Sequence, residues 1–258
     1  MPPRTPTPMT TLTYRFNGKT AIVTGAGKGI GKTTALEFAA AGANVALFSR
    51  TRYEDLSKEL GSFGDRVRFY EVDVTDEKQV EEAVAGVIDQ YGAVDILVNN
   101  ASIAKGGRLE EITAATWDEV ISCNLKSCFL CTKAVLAPMK ERGSGKIINV
   151  SSVAGRDRSM VLGAAYTSSK AAVIGFTRQI ASEAAPFGVN VNCVCPSQTY
   201  TPMLREVVTP ELENMIKQKN PSGYIAQPIQ IANVILFLAS EEANYMNGAI
   251  VDVNGGLL

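Results

Sequence analysis

TGAGKGIGKTTALEF, residues 24–38, is the stretch whose reading decides the fold, and it can be read in two ways. Counted from Ala26 it gives A-x-x-x-x-G-K-T, one residue short of the phosphate loop of nucleotide hydrolases. Counted from Gly25 it gives G-x-x-x-G-x-G, a glycine-rich turn of the kind that holds a dinucleotide. Both patterns put backbone N–H groups at a helix N-terminus, where the helix dipole favours an anion. They imply different chemistry, so the rest of the chain must choose between them.

Outward from this turn, apolar β-branched runs alternate with helical patterns. Strands are expected at 21–24, 44–49, 67–73, 94–100, 146–152, 189–196 and in the closing GAIVDVN. Between them lie about six or seven helices, including long ones at 116–142 and 164–186, and an irregular region after Pro196 to about Gln227. Such alternation predicts α/β architecture: one doubly wound (Rossmann) parallel sheet of about seven strands with helices on both faces. The domain is expected to span residues 14–258, behind a Thr- and Pro-rich N-terminal tail of residues 1–13 that is expected to be mobile. In such sheets ligands sit beyond the carboxyl ends of the strands.

Composition narrows the function. With a net charge of -1 the chain has no basic excess to neutralise nucleic acid phosphates. No apolar run approaches the roughly 20 residues of a membrane span, so no membrane partner is expected. No histidine is present, and the five cysteines do not form metal-ligand spacing, so no metal is expected. Cys128 and Cys131 form a C-x-x-C inside FLCTKAVLA and are read as packing residues within a helix, while Cys193 and Cys195 alternate along a strand. A reducing, cytoplasmic setting follows from that usage.

A later segment separates the two readings of the opening turn. Tyr166 and Lys170, in YTSSK, lie four apart at the start of a helix and so share one face. An ammonium beside a phenol favours phenolate and lowers its pKa toward working pH, which makes a proton donor and acceptor. Ser152 ends the preceding strand, and Asn124 stands in CNL. A nucleotide hydrolase would instead need a Mg²⁺-holding acid at a strand end, for which Asp73 is the candidate; most strand ends here, Ser49, Asn99, Ser152 and Pro196, are uncharged.

Together the Gly25/Gly29/Gly31 turn, NNAS at 99–102, Asn124, Ser152 and Y-x-x-x-K resemble the short-chain dehydrogenase/reductase family over residues 17–258, most of all its 3-oxoacyl-carrier-protein reductases. The closing NGAIVDVNGG resembles the family's C-terminal signature. The resemblance implies a catalytic set of Asn124, Ser152, Tyr166 and Lys170. Tyr166 would exchange a proton with the carbonyl oxygen, Ser152 would hydrogen-bond that oxygen, Lys170 would lower the phenol pKa and bond the nicotinamide ribose, and Asn124 would hold a relay water. Ser152 lies 14 residues before Tyr166, where 13 is the commoner spacing; Ser151 would be 15 away.

The resemblance also assigns the cofactor site. Gly25, Gly29, Ile30 and Gly31 surround the pyrophosphate; Asp73 and Val74 lie near the adenine; Asn100 and Ala101 line the cofactor, with Ser102 where the family has glycine. Pro196, Thr199 and Thr201, in PSQTYT, meet the carboxamide and phosphate side, with Ser197 again in place of glycine. The end of the second strand carries Ser49 and Arg50 where an NAD enzyme wants an acid, and Lys28 sits in the turn. Two cations and no carboxylate suit a 2′-phosphate, so NADP(H) is expected. The reading is thus an NADPH-dependent reductase of a small-molecule or thioester carbonyl, expected as a homotetramer or homodimer through its two long helices. A nucleotide-binding regulator without turnover is the reading from another class.

Overall fold

The structure is a computed structural model, which describes residues 14–52, 54–159, 162–206 and 208–258. The N-terminal tail expected over residues 1–13 lies outside them. Seven strands form one parallel sheet: β1 (Thr20–Thr24), β2 (Asn44–Ser49), β3 (Val67–Glu71), β4 (Ile96–Asn99), β5 (Gly145–Val150), β6 (Val189–Pro196) and β7 (Ile250–Val253). Their order is β3-β2-β1-β4-β5-β6-β7. The direction of winding reverses between β1 and β4, so a crevice opens beyond the carboxyl ends of those two strands.

The described helices are α1 (Gly29–Ala40), α2 (Glu54–Gly61), α3 (Glu77–Tyr91), α4 (Ala114–Ile121), α5 (Ser127–Arg142), α6 (Val153–Arg156), α7 (Gly163–Ala184), α8 (Pro202–Arg205), α9 (Pro210–Lys219) and α10 (Pro228–Ala239). Both sheet faces are covered. Ala21, Val23, Val45, Leu47, Ile96 and Val98 join Phe38, Ile231 and Ile235 on one side. Ile22, Ala46, Phe48, Leu97 and Ile147 join Val84, Val87, Leu130 and Met139 on the other. Because successive strand residues point to opposite faces and both faces are buried, the strands read as continuous apolar runs without alternation.

A buried polar ladder ties the centre of the sheet to the helices. The Asn99 amide donates to Thr132 Oγ1 at 3.0 Å and to Asn149 Oδ1 at 2.9 Å, and the Asn149 amide donates to Thr177 Oγ1 at 2.9 Å. Asn99 Oδ1 is buried without a partner among the described residues.

Three expectations need correction. The helix expected over 116–142 starts earlier, at Ala114, and contains a π turn, Ser122–Lys126, between α4 and α5. By length and composition Ala114–Arg142 is apolar enough to cross a membrane, which the sequence reading denied. Here it is a core helix, packed on β4, β5, α3 and α7. The region up to Gln227 is irregular only in part: Thr201 and Thr209 cap α8 and α9 within it, each with proline at the first helical position.

Candidate active site

The carboxyl ends of β1, β4, β5 and β6 border one cleft of about 280 Å³. On its first wall, β1 ends at Thr24 and the chain turns through Gly25 and Gly29, both in the left-handed region at φ 63° and 59°. A Cβ on Gly25 would come within 2.8 Å of Ala101 Cα, and one on Gly31 within 2.4 Å of the Asn100 amide nitrogen and 2.5 Å of Gly25 O. Only hydrogen fits at either place. Asn100 fixes this approach by donating its side-chain amide to Thr24 O at 3.0 Å and Gly25 O at 3.2 Å. Lys28 precedes α1 without a side-chain cap, and no acid occupies the first turn of that helix. Its N-terminal N–H groups and dipole are therefore available to a phosphate, so the residues present fit a dinucleotide.

The phosphate-loop reading fails on geometry. Lys32 Nζ pairs with Glu59 at 2.7 Å, outside the cleft walls, and Thr33 Oγ1 donates to Gly29 O at 3.1 Å.

On the second wall stand Ser152, Tyr166 and Lys170, brought together by the end of β5 and the first turns of α7. The Ser152 hydroxyl stands near enough to the Tyr166 phenol to act on its pKa. Ser151 is directed elsewhere, donating to Lys170 O at 2.7 Å, so the geometry selects Ser152 of the two serines. Lys170 is buried, its Nζ donating to Val150 O at 2.9 Å and lying 5.7 Å from the centre of the Tyr166 ring. One of the three ammonium donors is thereby engaged, and two are left for the cleft.

The electrostatics differ from expectation. Burial pushes the Tyr166 phenol above its ordinary value, and the Ser152 hydrogen bond works against that rise without overturning it. Burial pushes the Lys170 ammonium down. The sequence reading expected a lowered phenol pKa; burial sets the direction upward.

Asn124 sits on the π turn and is buried. Its Oδ1 accepts from Ile103 N at 2.8 Å, while its Nδ2 donates to Ile103 O at 3.1 Å and Ser169 Oγ at 3.0 Å. Both amide protons are engaged, so its side chain acts as a clamp between the β4–α4 segment and α7. A π turn is a frequent device for aiming a functional group.

The remaining predicted residues divide. Ile30, Ser49, Pro196, Thr199 and Thr201 line the cleft; Arg50, Asp73, Val74, Gly31 and Ala101 do not. The Thr201 hydroxyl caps α8 by accepting from Leu204 N at 3.3 Å, and its methyl would touch a Cβ on Gly29 at 3.1 Å. Asp73 accepts from Thr75 N at 3.0 Å and Thr75 Oγ1 at 2.7 Å. Burial alone would raise its pKa, but these bonds and the charges of Arg50 and Lys126 prevail and hold it below the usual carboxylate value.

The two cations expected to stand without carboxylates each have one: Arg50 lies 4.0 Å from Asp73, and Lys28 lies 3.5 Å from Glu206. Glu206, just past α8, carried no signal in the sequence. Nor did the apolar Leu162, which lines the cleft together with Met203 and Leu204.

Comparison with known proteins agrees with this architecture. The family model described as short chain dehydrogenase matches residues 19–212. The 3-oxoacyl-(acyl-carrier-protein) reductase FabG of Thermotoga maritima is 38% identical over 250 residues, covering 95% of this chain and 99% of its own. A hydroxy(phenyl)methylsuccinyl-CoA dehydrogenase subunit, BbsD, of Thauera aromatica is 37% identical over 246 residues, covering 93% and 97%. The crystal structure of levodione reductase matches with a TM-score of 0.84 at 33% identity, covering 94% of this chain and 98% of that one. The glycine turn against Asn100, the buried tyrosine and lysine facing it across one cleft, and these likenesses over nearly the whole length place the chain in the short-chain dehydrogenase/reductase family of oxidoreductases.

Proposed function

We propose that this chain reduces a ketone to a secondary alcohol with NADPH, through Tyr166 as proton donor. The observation that carries the reading is the contact of Tyr166 with Ser152 beside the buried Lys170, on the cleft wall that faces the uncapped start of α1. A family cofactor of the nicotinamide class supplies the hydride when bound. The chain's own residues manage the oxygen and the proton. Tyr166 gives its proton to the carbonyl oxygen, and the raised phenol pKa keeps that proton in place at neutral pH. Ser152 donates a hydrogen bond to the same oxygen, stabilising charge as it develops. Lys170 directs its two remaining donors to ribose hydroxyls and keeps the Tyr166 ring in position. Asn124, its side chain fully committed, contributes backbone: the π turn frees main-chain carbonyls that suit a water leading to Lys170.

Lys28 and Arg50 support NADPH over NADH, as cations at the turn and at the end of β2 that a 2′-phosphate would draw from Glu206 and Asp73. A 3-oxoacyl thioester is the favoured substrate, since a relative of near-equal length is named for that reaction; a free small ketone is the second reading, supported by the likeness to levodione reductase. The apolar groove between α5 and α7, with Phe129, Leu136, Phe176 and Ile180, supports assembly as a homotetramer or homodimer across those helices. Five free cysteines support a reducing, cytoplasmic setting.

The test is NADPH consumption, followed by absorbance, with acetoacetyl thioesters and free ketones. Turnover that needs Tyr166 supports the reading. NADPH binding without turnover of any carbonyl would favour the non-catalytic regulator.

A further inference from the structure

The charges on the cleft walls are all of one sign. Lys28, Arg158 and Lys170 line it, and no Asp or Glu does. Two of the three have a place in cofactor binding, Lys28 at the glycine turn and Lys170 beside Tyr166. Arg158 has none. It belongs to the segment between Ser152 and Tyr166, the two residues proposed to act on the carbonyl oxygen. Its sequence neighbour Arg156 is neutralised by Asp252 at 3.1 Å, whereas Arg158 has no ion-pair partner among the described residues. The backbone that presents it is held on both sides: Asp157 N donates to Val153 O at 3.0 Å, and Leu162 N donates to Ser159 Oγ at 2.7 Å. Behind it, the start of α7 rests on the β4–α4 segment, where a Cβ on Gly106 would fall 2.1 Å from Leu162 O and one on Gly163 2.3 Å from Gly107 O.

An unpaired guanidinium on an anchored backbone, in a cleft without carboxylates, matches the planar, bidentate shape of a carboxylate or phosphate. We propose that Arg158 binds an anionic group carried by the carbonyl substrate, so that the enzyme selects anionic carbonyl compounds over neutral ones. This rests on the reductase reading above and names its substrate class. The anion has two possible sources, the carboxylate of a free keto acid or the phosphate of a pantetheine-type thioester, and both present the same chemistry to Arg158.

The experiment uses two substrate pairs with NADPH: acetoacetate against ethyl acetoacetate, and acetoacetyl-CoA against the acetoacetyl thioester of N-acetylcysteamine. Arg158→Ala should lower kcat/KM for the charged member of at least one pair about ten- to hundredfold, the range of a lost charge-assisted hydrogen bond, and leave the neutral members within about threefold. Arg158→Lys should recover part of the loss, and Arg156→Ala should leave the charged-to-neutral ratio as in the wild type. Loss confined to acetoacetate assigns the anion to the substrate itself; loss confined to acetoacetyl-CoA assigns it to the carrier phosphate. An unchanged ratio in Arg158→Ala, with turnover intact, overturns the proposal and leaves the reductase reading standing. Should the wild type reduce none of the four, the reductase reading falls. Calorimetric titration of acetoacetate and of acetoacetyl-CoA into the NADP⁺-loaded protein then decides: weaker binding of either to Arg158→Ala supports the anion site, and equal binding of both overturns it.

Discussion

At the glycine-turn end of the cleft, backbone meets backbone, and Gly25, Gly31, Asn100 and Thr24 form one hydrogen-bonded knot between β1 and β4. At the carbonyl end the walls are short segments, α6 and α8, held by the side-chain caps of Ser152 and Thr201. The first region is set by steric exclusion, which permits one residue type. The second is set by capping and apolar cover, which permit many. A cofactor common to a family needs the first kind of site, and a substrate that varies needs the second.

The comparison can be broken most sharply at Tyr166, the proposed proton donor. Tyr166→Phe should lower kcat by roughly 10²–10⁴ while NADPH binding survives, measured by steady-state rates and by cofactor titration. Near-full turnover in that variant would remove Tyr166 from its role.

A matched pair of alanine substitutions then contrasts the ends. Gly31→Ala must displace Asn100 and Gly25, and Gly106→Ala must displace the Leu162 carbonyl. Each should cost about 1–3 kcal/mol of stability in a denaturant melt, the usual range for overpacking. Gly31→Ala should raise the Kd for NADPH, whereas Gly106→Ala should raise KM for the carbonyl and leave the cofactor Kd alone. Equal effects on both constants would mean that the two ends are mechanically one site.

Arg50→Asp sharpens the cofactor end. Its guanidinium is exposed and shared with Asp73, so the expected loss of NADPH preference over NADH is about tenfold, the low end for a charge-assisted hydrogen bond. A wild type that already prefers NADH would make Arg50 a surface charge.

The phenol offers a pH test. In the proposed mechanism alcohol oxidation needs Tyr166 deprotonated, so its rate should rise with pH through the phenol pKa, while ketone reduction should fall over the same window. Because the Ser152 hydrogen bond lowers that pKa, Ser152→Ala should move both profiles to higher pH, beyond its effect on rate. The smallest expected effect is Thr33→Ala, within about 0.5 kcal/mol of wild-type stability and near-normal in activity, since its hydroxyl meets only Gly29 O.

What the sequence disclosed follows the same division. Seven strands, their parallel winding and the glycine turn were legible because apolar runs and backbone proximity each demand particular residues. The short helices after Pro196 were legible too, in Thr201-Pro202 and Thr209-Pro210, yet they were read as irregular because their apolar pattern is weak. Glu206 opposite Lys28, and Gly106 beneath Leu162, could not be read, since each is defined by a partner 178 or 56 positions away in a chain whose folding the pattern does not encode pairwise. The phenol pKa went wrong for another reason: spacing along a helix shows who is adjacent, but depth decides whether charge or desolvation governs.

The amide ladder of Asn99 and Asn149 has a consequence for assembly of the fold. Side chains on a strand alternate in parity, so a slip of β5 by one residue against β4 would turn Asn149 to the opposite face and break the bonds of its buried amide with Asn99 and Thr177. Thr132 and Thr177, the outer rungs, belong to α5 and α7. Those helices can therefore seat fully only on a correctly aligned sheet. Alignment of the sheet is thus a condition of the site: Ser152, just past β5, meets Tyr166 and Lys170, on the second of those helices, only when both helices are seated.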